Sequence, residues 1–414
     1  MTTTSMSSQP RPVDELDLAF LDFADTNGPE ERRAQLDAAQ SEHWLARTPM
    51  GYLVTRYEEC VAVLGDRRFH SAASRIVELG GVDDPDFSTR RRTSILSAEG
   101  EEHARLRRLV APAFTRKAAD RLRPYMREVI ERLLAPVATR GHVELVAEVC
   151  EPYPIPIICR LLGAPEEDWQ LFSRWATDLL RIFNMNLVED LPLIVAAQEE
   201  MGAYVRELIA RRRTEPLDDL LTDLIAAEEA GDRLSTEELE TMAIAVLVGG
   251  TDTTRNQLAC SMALFAQHPV QWARLVATPE LAAQAVDETM RVLGAVRGTM
   301  RFATEDVELR GVLFPKDTLV FPSFVAANTD ELVFTEPEVF DITRDTSGPP
   351  HLTFGMGVHR CLGMWLARAE LQEALPLLAR VMPDVALDGD IAWKPDASGI
   401  WGPDRIPLRF TPVG

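Results

Sequence analysis

One stretch of this chain limits the folds open to it. From Ser235 to His268 it reads as a single helix, capped at its start and stopped by Pro269. Ser235-Thr236-Glu237-Glu238 has the capping-box pattern, in which Ser235 and Glu238 satisfy each other's free backbone N–H groups. The run is about 33 residues, or roughly 50 Å at about 1.5 Å per residue. A helix this long and this apolar must cross the core of a large domain. The 46% hydrophobic content supplies the side chains to surround it.

The remaining pattern is mostly helical with a minor β region. Gly51 to Tyr57 alternates as a strand, with Tyr52, Val54 and Arg56 on one side, and Tyr57 to Leu64 reads as a short helix. Residues 71–98, with clustered Gly80, Gly81, Asp83, Asp84 and Pro85, read as a long loop, and long ordered loops are usually functional. Glu101 to Val110 reads as a helix, with further helices to about residue 230. Thr299 to Ala326 changes to short strands, with turns at Gly311 and Pro315-Lys316-Asp317. The last long helix should begin just after Cys361 and run to about Met382, with Pro376 kinking or breaking it. Residues 1–12 read as a disordered tail and residues 13–414 as a single domain.

Charge and cysteine usage narrow the function classes. A net charge of -22 argues against general nucleic-acid binding. No apolar stretch approaches a membrane span, and the start of the chain lacks a signal-peptide pattern. The five cysteines are odd in number and widely spaced, which fits a reducing compartment, and a cytoplasmic protein is expected. Cys60, Cys150, Cys159 and Cys260 are expected to be small buried core residues.

Cys361 is different. It lies in His351-Leu-Thr-Phe-Gly-Met-Gly-Val-His-Arg-Cys361-Leu-Gly363. Gly355, Gly357 and Gly363 free the backbone around one sulfur atom, so that several N–H groups can point at it. The helix that follows favours a negative thiolate, and Phe354 can keep water away. A buried structural cysteine beside a glycine turn is the alternative, and it explains fewer of these residues together.

The middle of the long helix carries a second signal, Val248-Gly249-Gly250-Thr251-Asp252-Thr253-Thr254. Each internal glycine costs about 1 kcal/mol relative to alanine. The missing side chains let another group approach the helix, and Asp252 with Thr253 supplies an acid and a hydroxyl beside the gap. An acid and a hydroxyl side by side can relay protons, so such a pair suits a reaction that consumes them. A helix kink with Asp252 bonded to a nearby cation is the alternative.

Phe354-Gly355-Met356-Gly357-Val358-His359-Arg360-Cys361-Leu362-Gly363 resembles the haem-binding signature of the cytochrome P-450 superfamily, and the lack of an anchor resembles its soluble bacterial branch. The resemblance implies the P-450 fold, with the long helix crossing a haem b group. It implies Cys361 as the iron ligand, Gly249 and Gly250 lining the oxygen pocket, and Asp252 and Thr253 as the acid–alcohol pair. Glu288 and Arg291 match the family's Glu-x-x-Arg pair, with Arg344 as the third member of a structural ion network. His103 and Arg107 match its His-x-x-x-Arg pattern, and Arg301, His351 and His359 hold further propionate positions. Ala327-Asn328-Thr329-Asp330 falls in the family's order. Met364-Trp365 departs from it, where smaller residues are usual.

The resemblance places the substrate pocket at Ile95, Leu96, Phe183, Met185, Leu187, Val248, Val296, Met300, Ile400 and Trp401. That apolar lining suits a terpenoid, steroid or fatty-acid-like molecule. Asn184 and Asn186 either offer a polar contact or face water. Arg297 either anchors a substrate carboxylate or points to solvent, and solvent is the reading taken. No flavin or nicotinamide fingerprint is present, so electrons must come from outside. A basic patch of Arg105, Arg108, Arg360 and Arg368 would suit a small acidic ferredoxin, itself served by a reductase. The expected function is insertion of one atom of O2 into an apolar small molecule by a monomer. A peroxide-driven peroxygenase and a non-catalytic haem sensor are the alternatives, and the Asp252–Thr253 pair argues against both.

Overall fold

The structure is a computed structural model describing residues 10–22, 29–82, 94–184, 187–230, 234–396 and 398–412. The first third runs β1 (Arg11–Pro12), α1 (Pro29–Glu42), β2 (Leu45–Thr48), β3 (Gly51–Val54), α2 (Tyr57–Gly65), β4 (Phe69–Ser71), α3 (Ile76–Leu79), α4 (Gly100–Val110) and α5 (Arg116–Leu134). The central part runs β5 (His142–Glu144), α6 (Pro154–Leu162), α7 (Trp169–Leu180), α8 (Leu187–Thr214), α9 (Leu220–Glu229), α10 (Thr236–Gln267), α11 (Pro269–Ala277) and α12 (Ala282–Val292). Strands β6 (Arg301–Ala303), β7 (Val307–Leu309), β8 (Val312–Phe314) and β9 (Leu319–Pro322) follow, then α13 (Phe324–Asn328) and α14 (Met364–Val381). The chain ends in β10 (Ala386–Leu387), β11 (Ala392–Trp393), β12 (Pro403–Arg405) and β13 (Pro407–Arg409).

Helix α10 is the predicted long helix. Ser235 accepts from the Glu238 N–H at 3.1 Å, and Glu238 accepts from the Ser235 N–H at 2.8 Å, so the capping box forms. Its C-terminal half is buried on almost every side, with Leu258, Ala259, Cys260, Met262, Ala263 and Phe265 in the main core. It packs against α6, α7, α8, α12 and α14. Each large apolar side chain buried this way contributes roughly 1.5–3 kcal/mol, which explains why the internal glycines do not break the helix.

The largest sheet has the order β2-β3-β9-β6-β4. Strands β2 and β3 pair antiparallel, and β3 pairs parallel with β9 at Tyr52↔Val320. This sheet carries Arg301, on β6, to the edge of the helical core.

Several expectations change. Residues 71–98 are not one irregular loop, because a 3-10 turn at 72–74 and α3 occupy its first part; residues 83–93 lie outside the described residues. Arg11 and Pro12, placed in the tail, pair with Val312 and Leu313. Helix α14 runs through Pro376 without a break. The missing N–H costs about 3 kcal/mol in a free helix, but burial of Leu371, Ala374, Leu375 and Leu378 holds the helix together. Among the described residues, no helix is long and apolar enough to cross a membrane.

Candidate active site

The cysteine loop is built by local backbone chemistry. Gly355 and Gly357 have φ values of +66° and +72°, where other residues are strained. A Cβ on Gly357 would also collide with the Leu64 carbonyl of α2. The Cys361 N–H donates to the Phe354 carbonyl at 2.8 Å and closes the loop. Cys60, Cys150, Cys159 and Cys260 are buried, whereas Cys361 keeps accessible surface despite being crowded by protein atoms. Burial pushes this thiol up; the Gly363 N–H, Arg107 and Arg360 pull the other way without cancelling it. The sulfur therefore stays protonated unless a bound cation supplies further charge.

Helix α10 provides another wall. Gly249 is exposed although Val246, Leu247 and Val248 before it and Thr251 and Asp252 after it are buried, and a Cβ there would meet nothing within 4 Å. Thr253, one turn on, donates its hydroxyl to the Gly249 carbonyl at 2.9 Å. Gly250 departs from expectation. A Cβ on it would lie 2.7 Å from the Ile158 side chain, so Gly250 serves helix packing against α6 rather than an oxygen pocket. Val248 is buried in the main core.

Asp252 lies on a different face of α10, only 3% exposed. Its carboxylate is ion-paired with Arg255, accepts from Asn256 Nδ2 at 3.1 Å, and lies 3.8 Å from Lys394 Nζ. The cation-bonded alternative is thus part of the observed geometry, and the acid and the alcohol point different ways.

A cationic set lies beside the cysteine loop. The rings of His103 and His359 approach to 4.4 Å, and His359 Nε2 is 2.9 Å from Glu99 Oε1. Burial, then His359 and Arg107, push His103 down to about 4, so it is neutral at physiological pH. Burial opposes the Glu99 charge, but His359 and the Ser71 N–H hold that carboxyl below its usual range. Arg107 donates to the Arg360 carbonyl at 2.7 Å. Arg301 is buried and donates only to neutral oxygens, Thr299 Oγ1 at 3.0 Å and the Met300 carbonyl at 2.9 Å. Among the described residues, no carboxylate lies within ion-pairing distance of Arg301 or Arg107. These two cations and His103 could hold acidic groups, and Cys361 could hold a metal, which together fits a haem and its propionates. His351 instead faces Asp287, 3.6 Å away, beside Arg368.

Glu288 and Arg291 form a buried two-point ion pair at 2.8 and 2.9 Å, and Arg344 Nε reaches Glu288 at 3.1 Å. Arg291 also donates to the carbonyls of Asn328 and Pro337. The network ties α12 to the segment that leads into the cysteine loop.

The expected substrate residues are less unified. Ile95 packs against the main core, while Leu96 is exposed. Val296 bridges to Ile400, and Met185 lies outside the described residues. Ile400 lines a polar cavity. Trp401 is stacked on Trp393 with centroids 4.6 Å apart, and Arg297 sits 5.0 Å from its ring. Arg297 does not point to solvent. With 25% of its side chain accessible, it donates to Asp396 Oδ1 at 3.2 Å and to the Asp396 carbonyl at 2.6 Å. The basic patch also shrinks, since Arg105 pairs with Glu238 and Arg368 with Asp287. Glu99, Asp287, Arg255 and Lys394 were not singled out from the sequence. Acid–base spacing flagged none of them, because their partners are distant in the chain or belong to a common i,i+3 pattern.

A crowded thiol that keeps accessible surface, a helix turn opened at Gly249, and two arginines without a carboxylate partner among the described residues fit the haem-thiolate class of oxygenase. The Cytochrome P450 family model matches residues 167–380. Luteothin monooxygenase of Streptomyces thioluteus is 36% identical over 95% of this chain and 96% of its own length. Nocardicin C N-oxygenase of Nocardia uniformis subsp. tsuyamanensis is 40% identical over 88% of this chain and 91% of its own. The crystal structure of CalO2 superposes with a TM-score of 0.88 at 31% identity, covering 96% of this chain and 100% of that one. The chain belongs to the cytochrome P450 family. It is a monooxygenase that uses haem b, O2 and redox partners to act on a small molecule.

Proposed function

We propose that Cys361 would hold the haem iron and that the enzyme inserts one oxygen atom into an apolar, terpenoid, steroid or fatty-acid-like molecule. The loop geometry around Cys361 carries this reading: an accessible sulfur, an N–H aimed at it, and burial that leaves it wanting a cation. Bound haem iron supplies the oxygen-atom transfer, and a thiolate ligand favours O–O cleavage. Arg107, Arg301 and His103 orient the group through its carboxylates, with His359 held by Glu99. Phe354 lies between the loop and Arg368, whose guanidinium sits 5.3 Å from its ring, and shields the sulfur from water. Thr253 presents its hydroxyl on the Gly249 side of α10, and Asp252 supplies protons from the other side.

Relatives support a product of secondary metabolism as the substrate. Mycinamicin IV hydroxylase/epoxidase and 6-deoxyerythronolide B hydroxylase are 38% and 34% identical to this chain. We assign a small acidic ferredoxin, with its reductase, as electron donor. It docks through exposed Arg108 together with Arg360, and its binding weakens with salt. The enzyme acts as a monomer in the cytoplasm. The test is the reduced carbonyl spectrum of the purified holoprotein, followed by a screen of apolar ligands for the absorption shift caused by displacing iron-bound water. A porphyrin-free protein, or one lacking the red-shifted carbonyl band of sulfur coordination, overturns the assignment.

A further inference from the structure

Asp252 lines a polar cavity of about 670 Å³ between α7, α10 and the β11–β12 hairpin. Thr177, Arg255, Lys394 and Asp404 line the same cavity. Gly249 and Thr253 share one face of α10, whereas Asp252, Arg255 and Asn256 share another. Lys394 reaches Asp252 from a different element, and its backbone is fixed at both ends. Its N–H donates to the Gly402 carbonyl at 3.0 Å, and its carbonyl accepts from Trp401 Nε1 at 3.1 Å. We propose that Lys394 is a positioning residue for proton delivery: it holds the Asp252 carboxylate against this cavity, so that protons enter from the face of α10 that carries Asp252.

The inference rests on reading Asp252 and Thr253 as the proton-delivery pair. In the step itself, a solvent proton in the cavity forms an O–H bond with the Asp252 carboxylate, and that bond later breaks toward the Thr253 side. The charged groups facing Asp252 are few. Arg255 comes from its own helix and Lys394 from the hairpin; Asn256 adds a neutral donor. Behind them, Glu151 lies 3.8 Å from Arg255, while Asp404 and buried Cys260 act on Lys394. Burial favours the neutral form of Lys394, and the Asp252 charge opposes that. Lys394 therefore depends on its partner: removing the acid favours the neutral amine. Arg255 holds the carboxylate along the helix, but only Lys394 ties it to the hairpin that borders the cavity.

The test compares wild-type holoprotein with Lys394→Met and Lys394→Arg by infrared difference spectroscopy on isotope-labelled aspartate. The Asp252 carboxyl band is assigned by its loss in Asp252→Asn. In Lys394→Met that band should shift in frequency, because the adjacent positive charge is gone. Lys394→Arg should restore the wild-type frequency. The solvent isotope effect on substrate-free NADH oxidation, driven by a surrogate ferredoxin and reductase, should increase in Lys394→Met alone. If Lys394→Met does not fold, Lys394→Gln provides the same comparison. An Asp252 band at its wild-type frequency after loss of the cation overturns the proposal. A wild-type protein without the sulfur-ligand spectrum overturns the oxygenase reading instead, so the two failures are distinguishable.

Discussion

The cysteine loop and the middle of α10 both carry residues of the proposed site, but they are made in different ways. In the loop, Gly355 and Gly357 adopt left-handed backbone angles that only glycine takes easily, so the residues specify the turn. In α10, Gly249 and Gly250 share one helical conformation and differ only in what they face. One opens on empty space and the other meets Ile158. Backbone demand can be read from a sequence, whereas the use made of a small residue depends on its neighbours.

The sharpest way to break this comparison is Cys361→Ser. It should remove the red-shifted carbonyl band and reduce turnover to background, because no other accessible sulfur exists among the described cysteines. Retention of the band would place the ligand elsewhere. Thr253→Ala should come next. General acid–base contributions are typically about 100-fold or more. Product formed per electron pair should fall severely while electron consumption continues, measured as NADH used against product made. Unchanged coupling would remove Thr253 from proton delivery.

The two glycines then separate packing from function. Gly250→Ala pushes a methyl into Ile158 and should destabilise the fold by about 1–3 kcal/mol, read from the unfolding midpoint. Gly249→Ala meets no protein atom and gains up to about 1 kcal/mol of helix propensity. It should therefore preserve or raise stability while weakening ligand binding at the iron. Equal loss of stability in both variants would show that the two positions share one environment.

The smallest effect concerns the two buried acids flanking these regions. Asp252 has cations around it, whereas Glu370 on α14 is buried with one carboxyl oxygen unpartnered. Burial pushes Glu370 well above the ordinary value of 4.5. In the folded state it keeps its proton where the unfolded chain has released it. Its contribution to stability is therefore fully present below about 4.5 and declines as pH rises above that value. Glu370→Gln should shrink the stability difference between acidic and mildly basic buffer, seen in thermal melts at several pH values. An unchanged pH slope would mean that Glu370 finds a partner.

Much of the fold was legible because its signals were local. The capping box at Ser235, the stop at Pro269 and the glycine turn before Cys361 each depend on residues close in the chain. The Glu288–Arg291 pair was legible as spacing alone; its burial and its link to Arg344 were not. Glu99 and Asp287 escaped notice because a carboxylate gains meaning only from what folds against it. Glu99 meets His359 from 260 residues away. Arg297 was misread for the same reason, since Asp396 lies 99 residues further on. The pocket residues were the least legible. Apolar side chains at Trp401 and Val248 serve the core as readily as a ligand, and their composition does not distinguish the two.

By itself the sequence determined the long central helix, the strained turn that exposes one sulfur, and the set of residues available for oxygen chemistry. These follow from short-range rules: capping, backbone angles that demand glycine, and the termination of helices by proline. Tertiary structure decided which glycine opens the interior, which cations stay without a carboxylate, and which way Asp252 points. Those outcomes depend on burial and on partners far away in the chain, and no local pattern of residues encodes either.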